Sequence, residues 1–225
     1  MTQTWHDLLF AHWPLDFDTL RALVPSPLAL DRFDGRAWIG VVPFVMTNVS
    51  PRLVPPLPRL SAFPEINVRT YVTVGDKPGV YFFSLDATNP IAVRSARALF
   101  GLPYNRASIH VDSNGDAIEY QSRRLSDDAR FDARYGPIAA PFAAERGSLE
   151  HFLTERYCLY TVSRSRRVSR AEVHHAPWSL RRADADIRVN TMAAPAGIAL
   201  PSAAPHLLFG KRQDTVVWLP SGSAV

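Results

Sequence analysis

The chain has 225 residues and a mass of 25.1 kDa, with 47% hydrophobic and 20% charged residues. These values are typical of a globular protein with a sizeable core and exclude a disordered or fibrous chain. Lysine and arginine total 25 against 21 acidic residues, and the net charge of +4 is too small to indicate a nucleic-acid surface. Lys77 and Lys211 are the only lysines, which limits any chemistry that requires an amine. We expect a single domain over residues 1–225.

The cysteine content and the N-terminus indicate a cellular compartment. Cys158 is the only cysteine, which excludes an intramolecular disulfide and fits a reducing environment. The first residues lack the basic and apolar regions of a signal peptide. No stretch approaches the roughly 20 apolar residues needed to span a bilayer. We therefore expect a cytoplasmic protein with no membrane partner.

The first part of the chain predicts a helix, a buried strand and a loop. Apolar residues at helical spacing predict a helix over residues 15–24, with Asp16 or Asp18 as its N-cap. Residues 37–46 are apolar at both parities, which predicts a strand covered on both faces. Five prolines in residues 51–64 predict a loop, because proline cannot donate to a sheet ladder.

The middle of the chain predicts two strands and a helix. Residues 65–74 alternate between polar and apolar positions, as a strand does, and a Gly/Pro turn over residues 75–79 leads to a second strand at 80–85. A proline at the start and Gly101 after the last turn predict a helix over residues 90–100.

The remaining segments predict short strands and one more helix. An Asn-Gly turn predicts a hairpin, and a serine before an apolar pattern predicts a capped helix at residues 148–153. The further predicted strands lie at residues 107–111, 118–124, 131–135, 157–161, 168–175 and 207–219. Many short strands with a few brief helices indicate an α+β fold with a mostly antiparallel sheet that can close on itself.

Metal and nucleophile chemistry find little support in the sequence. His174 and His175 adjoin, but neighbours on a strand point to opposite faces, and no His-x-His, HExxH or CxxC spacing supports a metal site. Cys158 lies within an apolar strand, where cysteine behaves as a small hydrophobe. Phosphate-binding glycine motifs are absent from the sequence. We expect no metal and no cofactor.

One basic cluster favours a solvated turn over a nucleic-acid surface. Serines and a valine interrupt it, and no aromatic residues are interleaved to stack on bases. Its members are Arg164, Arg166, Arg167 and Arg170. We expect a hairpin turn here and no nucleic-acid partner.

The polar face of the strand at residues 65–74 carries Glu65, Asn67 and Arg69. Such a face meets solvent in an open sheet, but it lines the lumen if the sheet closes into a barrel. Arg69 would then pair with Glu65 or bind an anionic group of a ligand through two parallel hydrogen bonds. Two other dense polar sets follow the predicted helix and precede a later strand. They are Tyr104, Asn105 and Arg106, and Arg156 with Tyr157.

Several segments resemble acetoacetate decarboxylases. The matching parts are the opening helix and strand, the segment ahead of the Schiff-base lysine, and a late His-Glu-Ala-Trp strand. They lie at residues 15–31, 89–103 and 173–178. Three further strings are similar to the uncharacterised YqjF-like family, of bacterial type, in the acetoacetate decarboxylase-like superfamily. They are FPEINVRTY at 63–71, LPY at 102–104 and TERYCLY at 154–160.

The resemblance extends from about residue 5 to residue 220. It implies a mostly antiparallel, cone-shaped β-barrel with a few short helices around a central cavity. Alignment on the preceding proline places Tyr104 and Asn105 where the decarboxylases have paired lysines, and neither side chain can form an imine. An ungapped comparison puts the family's active-site arginine at about His6 and one glutamate at about Trp38, while Glu65 stands near the second glutamate.

These observations predict a cytoplasmic protein that binds a small organic ligand, such as an oxo acid, in a central cavity. It lacks the Schiff-base lysine and so is not expected to be an acetoacetate decarboxylase. Tyr104 and Glu65 are the candidate catalytic residues, because a phenol can donate a proton to a carbonyl. The candidate ligand-binding residues are Arg69, Asn67, Arg106, Arg156, Tyr157 and His174.

Two alternatives stay open at this point. The first is a lyase or hydratase that acts on an oxo acid by non-covalent acid–base catalysis. The second is a structural or interaction protein whose cavity is filled by large aromatic side chains. Exposed strand edges also leave a homo-oligomer open.

Overall fold

A computed structural model describes residues 1–50 and 61–222. Most of the predicted proline-rich loop, residues 51–60 of 51–64, lies outside the described residues. Strands dominate this part of the chain. The strands are β1 (Thr2–Leu15), β2 (Ala29–Leu30), β3 (Ala37–Ser50), β4 (Phe63–Val74), β5 (Lys77–Ala87), β6 (Tyr104–Asn114), β7 (Ala117–Arg124), β8 (Arg130–Pro137), β9 (Cys158–Val162), β10 (Val168–His175), β11 (Leu180–Asn190), β12 (His206–Val217) and β13 (Ser221–Gly222). The helices are α1 (Phe17–Arg21), α2 (Pro90–Phe100) and α3 (Leu149–Thr154).

The three predicted helices are confirmed, each with a side-chain cap. In α1, which is shorter than predicted, the Asp16 carboxylate accepts from the backbone N–H of Thr19. Asn89 caps α2, which ends at Gly101 in the left-handed conformation with φ of 64°. Ser148 caps α3. Within the described residues, no helix has both the length and the apolar character required to cross a membrane.

The sheet closes on itself because β5 has three neighbours. It pairs antiparallel with β4 and, over short stretches, parallel with β6 and β9. One closed ring of pairings runs β1–β3–β4–β5–β9–β10–β12 and back to β1. A second ring shares β12, β1, β3, β4 and β5 and continues through β6, β7, β8 and β11. The remaining pairs are antiparallel, which confirms the predicted mostly antiparallel, closed sheet.

Two long strands are absent from the sequence prediction. In β1 the register with β3 shifts between His6 and Ala11, and Asp7 has a φ of 52°. This irregularity breaks the two-residue period on which strand prediction depends. In β11 the outward residues Arg182 and Asp184 are charged, while the inward Ala183 is small, so the apolar signal is weak.

The two faces of β4 enter different parts of the core. Ile66 and Val68 pack in a cluster with Leu9. Tyr71, on the other face, packs with a second cluster that includes Leu85. The glutamate and asparagine of that second face are 3% and 4% exposed. The interpretation of this polar face as solvent-exposed is therefore wrong, because the closed sheet covers β4 on both sides.

Candidate functional site

A pair of side chains, the buried Glu65 and the partly buried Tyr104, forms the centre of the candidate site. Glu65 lies near the start of β4 and Tyr104 is the first residue of β6. The Tyr104 hydroxyl donates to Oε2 of Glu65 at 2.6 Å. The register explains the encounter, since Leu85 of β5 lies opposite Asn67 of β4 and opposite Tyr104 of β6. Two residues 39 positions apart are thus joined across β5.

The end of α2 fixes the position of Tyr104. The left-handed Gly101 stops the helix, and the backbone N–H of Leu85 donates to Pro103 O at 3.1 Å. Arg97, in the last turn of α2, donates from Nε to the Tyr104 carbonyl at 2.6 Å. A helix stop, a proline and an arginine therefore set the chain so that β6 begins with the phenol directed at β4.

Burial controls the ionisation of Glu65. It raises the pKa of the carboxyl to about 8, and the negative charge of Asp86 adds to the rise. Hydrogen bonds from Tyr104 and Asn67 oppose it without cancelling it. Burial and the Glu65 charge hold the pKa of Tyr104 well above its usual range. A carboxyl group with a pKa near neutrality can both release and accept a proton, as general acid–base chemistry requires.

Asn67 lies two residues along the same face. Its side chain shares a hydrogen bond with Glu65, one that lowers the carboxyl pKa as a donated bond does. The amide oxygen Oδ1 is buried and has no hydrogen-bond partner among the described residues. Buried polar atoms in proteins are normally paired, so the unpaired oxygen marks a position where a ligand group can bind.

Arg69 occupies the next position of this face but does not pair with Glu65 as the sequence suggested. Its Nη2 donates to the Leu153 carbonyl at 3.2 Å, and the guanidinium lies 5.4 Å from the Phe10 ring centroid and 5.8 Å from that of Tyr71. Four residues along an extended strand separate the Cα atoms by about 13 Å, so a direct pair would require both side chains to lie along the strand instead of standing away from the sheet. Its Nε atom is buried without a partner among the described residues.

A polar cluster beyond Arg69 was missed in the sequence. His12 of β1 is fully buried and lies 2.5 Å from the Tyr71 hydroxyl. Burial lowers the pKa of His12 well below its usual range, and Arg69 lowers it further. A Cβ at Gly40 would lie 2.7 Å from His12 Nε2, so the glycine is needed for the close approach. A lone glycine in an apolar strand was the available signal.

The other predicted binding residues separate into internal and external ones. Arg156 is internal: it donates from Nη1 to Asp31 at 2.6 Å and lies over the Tyr71 ring. Tyr157 is partly exposed and hydrogen-bonds Glu155. Arg106 is exposed on β6.

Of the adjacent histidines, His174 is exposed while His175 is buried and stacks on Tyr157 at 4.6 Å between ring centroids. The strand alternation predicted this division but not which histidine turns inward. His175 also joins an aromatic cluster with Trp5 and Trp178 that the sequence did not reveal.

The positions compared with the decarboxylase lysines hold two hydrogen-bonded residues. Tyr104 faces Glu65, and its neighbour Asn105 donates to Asp86 at 3.3 Å on the opposite face. Asp86 is in turn bound by the buried guanidinium of Arg124 at 2.9 Å. His6, where the comparison placed an arginine, hydrogen-bonds Thr47 instead. The side chain of Trp38 places its Nε1 in the interior without a partner among the described residues.

Both lysines form ion pairs at the surface. Lys211 lies 2.9 Å from Asp7 and is 52% exposed. Lys77 lies 3.5 Å from Glu172 and is 48% exposed. Neither contact involves Glu65. Over residues 1–50 and 61–222, no group of three or more histidine, cysteine, aspartate or glutamate side chains is placed to hold a metal ion.

Three members of the predicted basic cluster, Arg164, Arg166 and Arg167, lie in the turn between β9 and β10, as expected, while Arg170 lies within β10. Two surface pockets of the described part of the chain bear on the site. One of about 370 Å³ is lined by Phe33, His151 and Arg156 among others. The other, of about 570 Å³, lies beside Arg124. Glu65 and Tyr104 line neither pocket, so their pair belongs to the interior and not to these surface depressions.

Solved structures share this architecture. An acetoacetate decarboxylase from Legionella pneumophila subsp. pneumophila str. Philadelphia 1 superposes with a TM-score of 0.64 at 14% identity, over 100% of this chain and 86% of that chain. The enduracididine biosynthesis enzyme MppR complexed with pyruvate superposes with a TM-score of 0.63 at 11% identity, over 97% of this chain and 89% of that chain. The fold is therefore acetoacetate decarboxylase-like, which confirms the predicted fold class.

Sequence comparison defines the family within that fold. Residues 2–214 match the DUF2071 family, described as an uncharacterised conserved protein. The uncharacterised protein YqjF of Bacillus subtilis (strain 168) is 52% identical over 219 residues, which cover 97% of this chain and 90% of the relative. The chain belongs to the DUF2071 family, and the predicted YqjF-like resemblance is confirmed.

Proposed function

We propose that the protein binds a small organic ligand of the oxo-acid type beside Glu65 and Tyr104, inside the strand ring, without forming an imine. The hydrogen bond between the buried Glu65 and the partly buried Tyr104 carries the proposal. The unpaired buried Nε–H of Arg69 supports it, because this donor can bind the carboxylate of an oxo acid. An MppR structure described as complexed with pyruvate has the same fold, which agrees with an oxo-acid ligand.

The exposed positions of Lys77 and Lys211 support the absence of imine chemistry. A Schiff-base lysine needs a lowered pKa, which burial or a neighbouring cation provides. The interaction of Lys211 with Asp7 raises the pKa of this lysine instead, since an acidic neighbour favours the charged form. The proposed ligand is therefore held by hydrogen bonds and charge, with a phenol at the position compared with the lysines.

A second candidate is a lyase or hydratase that works by non-covalent acid–base catalysis. The pKa of about 8 for Glu65 favours it, because the carboxyl would exchange protons with a bound oxo acid at neutral pH. When Glu65 holds its proton, the carboxyl can donate to the phenol oxygen, and the Tyr104 hydroxyl is then free to donate to the ligand carbonyl and polarise it. A lyase and a binding protein would use the same site and would differ only in turnover. A measurement of turnover therefore distinguishes these two candidates.

Binding of pyruvate and 3-oxobutyrate, followed by calorimetric titration, tests the proposal. We expect binding by the wild type and a loss of at least about tenfold in affinity for Tyr104→Phe and for Glu65→Gln, since each removes one partner of a buried hydrogen bond. Tyr81→Phe is the matched control, because Tyr81 packs edge-on against Phe83, away from the pair. Absence of binding by the folded wild type would favour the alternative of an interior filled by side chains.

Turnover and covalent trapping separate the remaining candidates. Loss of oxo acid that stops in Tyr104→Phe and Glu65→Gln would identify an enzyme, and binding without loss would identify a binding protein. Treatment with sodium borohydride in the presence of 3-oxobutyrate reduces any imine to a stable adduct. We expect no mass increase on Lys77 or Lys211, and an adduct on either lysine would contradict the proposal.

Location and assembly belong to the same proposal. A single cysteine, Cys158, buried and without a disulfide, agrees with a cytoplasmic protein. We propose no nucleic-acid or membrane partner and allow a homo-oligomer. Cell fractionation and light scattering on the full chain measure these two properties directly.

A further inference from the structure

Asn67 carries information about the ligand because only one side of its amide is engaged. The residue is 4% exposed, on the same strand face as Glu65 and Arg69. Its side chain interacts with Glu65 and lowers the pKa of that carboxyl, as a donor does. The amide oxygen is therefore the free group, and it is a hydrogen-bond acceptor without a partner in the described residues.

The surroundings of Arg69 supply the opposite requirement. Its Nη2 is engaged by a backbone carbonyl, and its Nε is a buried donor without a partner in the described residues. None of the ion pairs in the described part of the chain joins Arg69 to a carboxylate. The indole N–H groups of Trp38 and Trp178 are likewise buried and unpaired there. A buried guanidinium Nε–H without a partner forms a suitable environment for a carboxylate.

One position needs a hydrogen-bond donor on the ligand and the other needs an acceptor, so the ligand must carry both kinds of group. An acceptor, Asn67 Oδ1, needs a donor on the ligand. The free Nε–H of the Arg69 guanidinium needs an anionic acceptor. An oxo acid supplies a carboxylate and a carbonyl, which are both acceptors, so it leaves Asn67 Oδ1 unpaired. A hydroxy or amino carboxylate supplies both a carboxylate and a donor.

We propose that the site takes hydroxy or amino carboxylates in preference to the corresponding oxo acids, with the carboxylate at Arg69 and the hydroxyl or amino group donating to Asn67 Oδ1. The inference rests on the proposed function, because it refines which small organic ligand occupies the same interior. A site built to hydrogen-bond a hydroxyl rejects the analogue that lacks it, since its own polar atom then stays buried and unpaired.

Calorimetric titration with three matched ligands tests the inference: 3-hydroxybutyrate, 3-oxobutyrate and butyrate, each against the wild type, Asn67→Leu and Arg69→Gln. We expect 3-hydroxybutyrate to bind the wild type at least about tenfold more tightly than the other two. Asn67→Leu should lose this discrimination while still binding carboxylates. Arg69→Gln should weaken all three ligands together and keep the discrimination. Circular dichroism on each variant confirms that it is folded, and Asn67→Asp, which keeps an acceptor, replaces Asn67→Leu if that variant does not fold and should retain the preference.

The outcomes separate the two proposals. Equal or tighter binding of 3-oxobutyrate by the wild type overturns the inference and leaves the proposed function standing. Unchanged discrimination in Asn67→Leu also overturns it, because the preference would then arise elsewhere. Failure of all three ligands, and of pyruvate, to bind the folded wild type overturns the inference together with the proposed function.

Discussion

Two buried carboxyl groups lie on opposite faces of the same junction of β4, β5 and β6, and they have different partners. Asp86 faces the guanidinium of Arg124, and the pair is almost fully buried. Glu65, on the other face, is bound by neutral donors, the Tyr104 hydroxyl and the Asn67 amide. Burial raises the pKa of both carboxyl groups, but a cation opposes the rise only at Asp86.

The difference separates a structural role from a chemical one. A buried carboxylate with a bound guanidinium is a fixed ion pair, and it joins strands. A buried carboxyl without a cation titrates near neutral pH and can exchange a proton with a ligand. The short parallel stretch of β5 and β6 places both groups, so a single junction holds the sheet together on one face and the candidate site on the other.

The largest expected effect comes from breaking the structural side of the comparison. Arg124→Gln leaves Asp86 buried without its cation, and we expect a loss of about 3–5 kcal/mol in the free energy of unfolding. Urea denaturation at neutral pH measures it. Arg188→Gln, which removes an exposed arginine bound to Glu119 and Asp132, is the control and should cost less than about 1 kcal/mol. Equal losses in the two variants would show that the buried pair is no more important than a surface one.

The chemical side of the comparison predicts how stability depends on pH. The Glu65 pKa is about 8 in the folded protein against an ordinary value of 4.5, so the folded state holds its proton after the unfolded state has released it. The stabilisation is complete below about pH 4.5 and is lost as the pH rises to about 8. We expect the Glu65 contribution to fall by about 2–3 kcal/mol between about pH 5.5 and 7.5.

Glu65→Gln isolates this contribution because glutamine does not titrate. Denaturation curves across the same pH range should show a smaller decline in the variant than in the wild type. Glu172→Gln alters a surface carboxylate bound to Arg170 and serves as the control, which should keep the wild-type decline. A Glu65→Gln curve that runs parallel to the wild type would mean that Glu65 is ionised in the folded protein at neutral pH.

Removal of the phenol gives a smaller effect on the same group. Tyr104→Phe deletes the hydrogen bond to Glu65 Oε2, and we expect a loss of about 1 kcal/mol in the free energy of unfolding. That bond lowers the Glu65 pKa, so its removal should raise the pKa further and move the upper end of the pH-dependent decline to higher pH. Tyr81→Phe should leave the pH profile unchanged. A downward shift in Tyr104→Phe would mean that the phenol oxygen accepts a hydrogen bond from the protonated carboxyl instead of donating one.

The sequence predicts the parts of this junction that have local signals. The alternation over residues 65–74 places Glu65 and Asn67 on one face. Proline, asparagine and glycine bound α2, so the start of β6 at Tyr104 follows from local chain chemistry. The pairing of these two faces through β5 has no such signal, because the parallel register with β6 comprises three residue pairs and joins segments separated by a helix.

The contacts of long side chains and one irregular strand could not be predicted from the sequence. Arg69 lies on the same strand face as Glu65, but its long side chain binds the Leu153 carbonyl. Arg156 was selected from a sequence motif, and its side chain binds Asp31. The polar pattern gives the face of a strand residue and not the partner of a flexible guanidinium. The irregular register of β1 likewise hid His12, whose place depends on Gly40 in the neighbouring strand.

The smallest expected effect measures how strongly the two carboxyl groups interact across the sheet. The charge of Asp86 contributes to the raised Glu65 pKa, so Asp86→Asn should lower that pKa, and the unpaired Arg124 cation acts in the same direction. Carbon-13 NMR titration of the Glu65 carboxyl follows the pKa directly. Asp128→Asn is the control, since Asp128 is 94% exposed and salt screens its charge. A Glu65 pKa that stays at the wild-type value in Asp86→Asn would show that the ion pair of Asp86 and Arg124 is neutral as seen from Glu65, and that burial alone accounts for the titration near neutral pH.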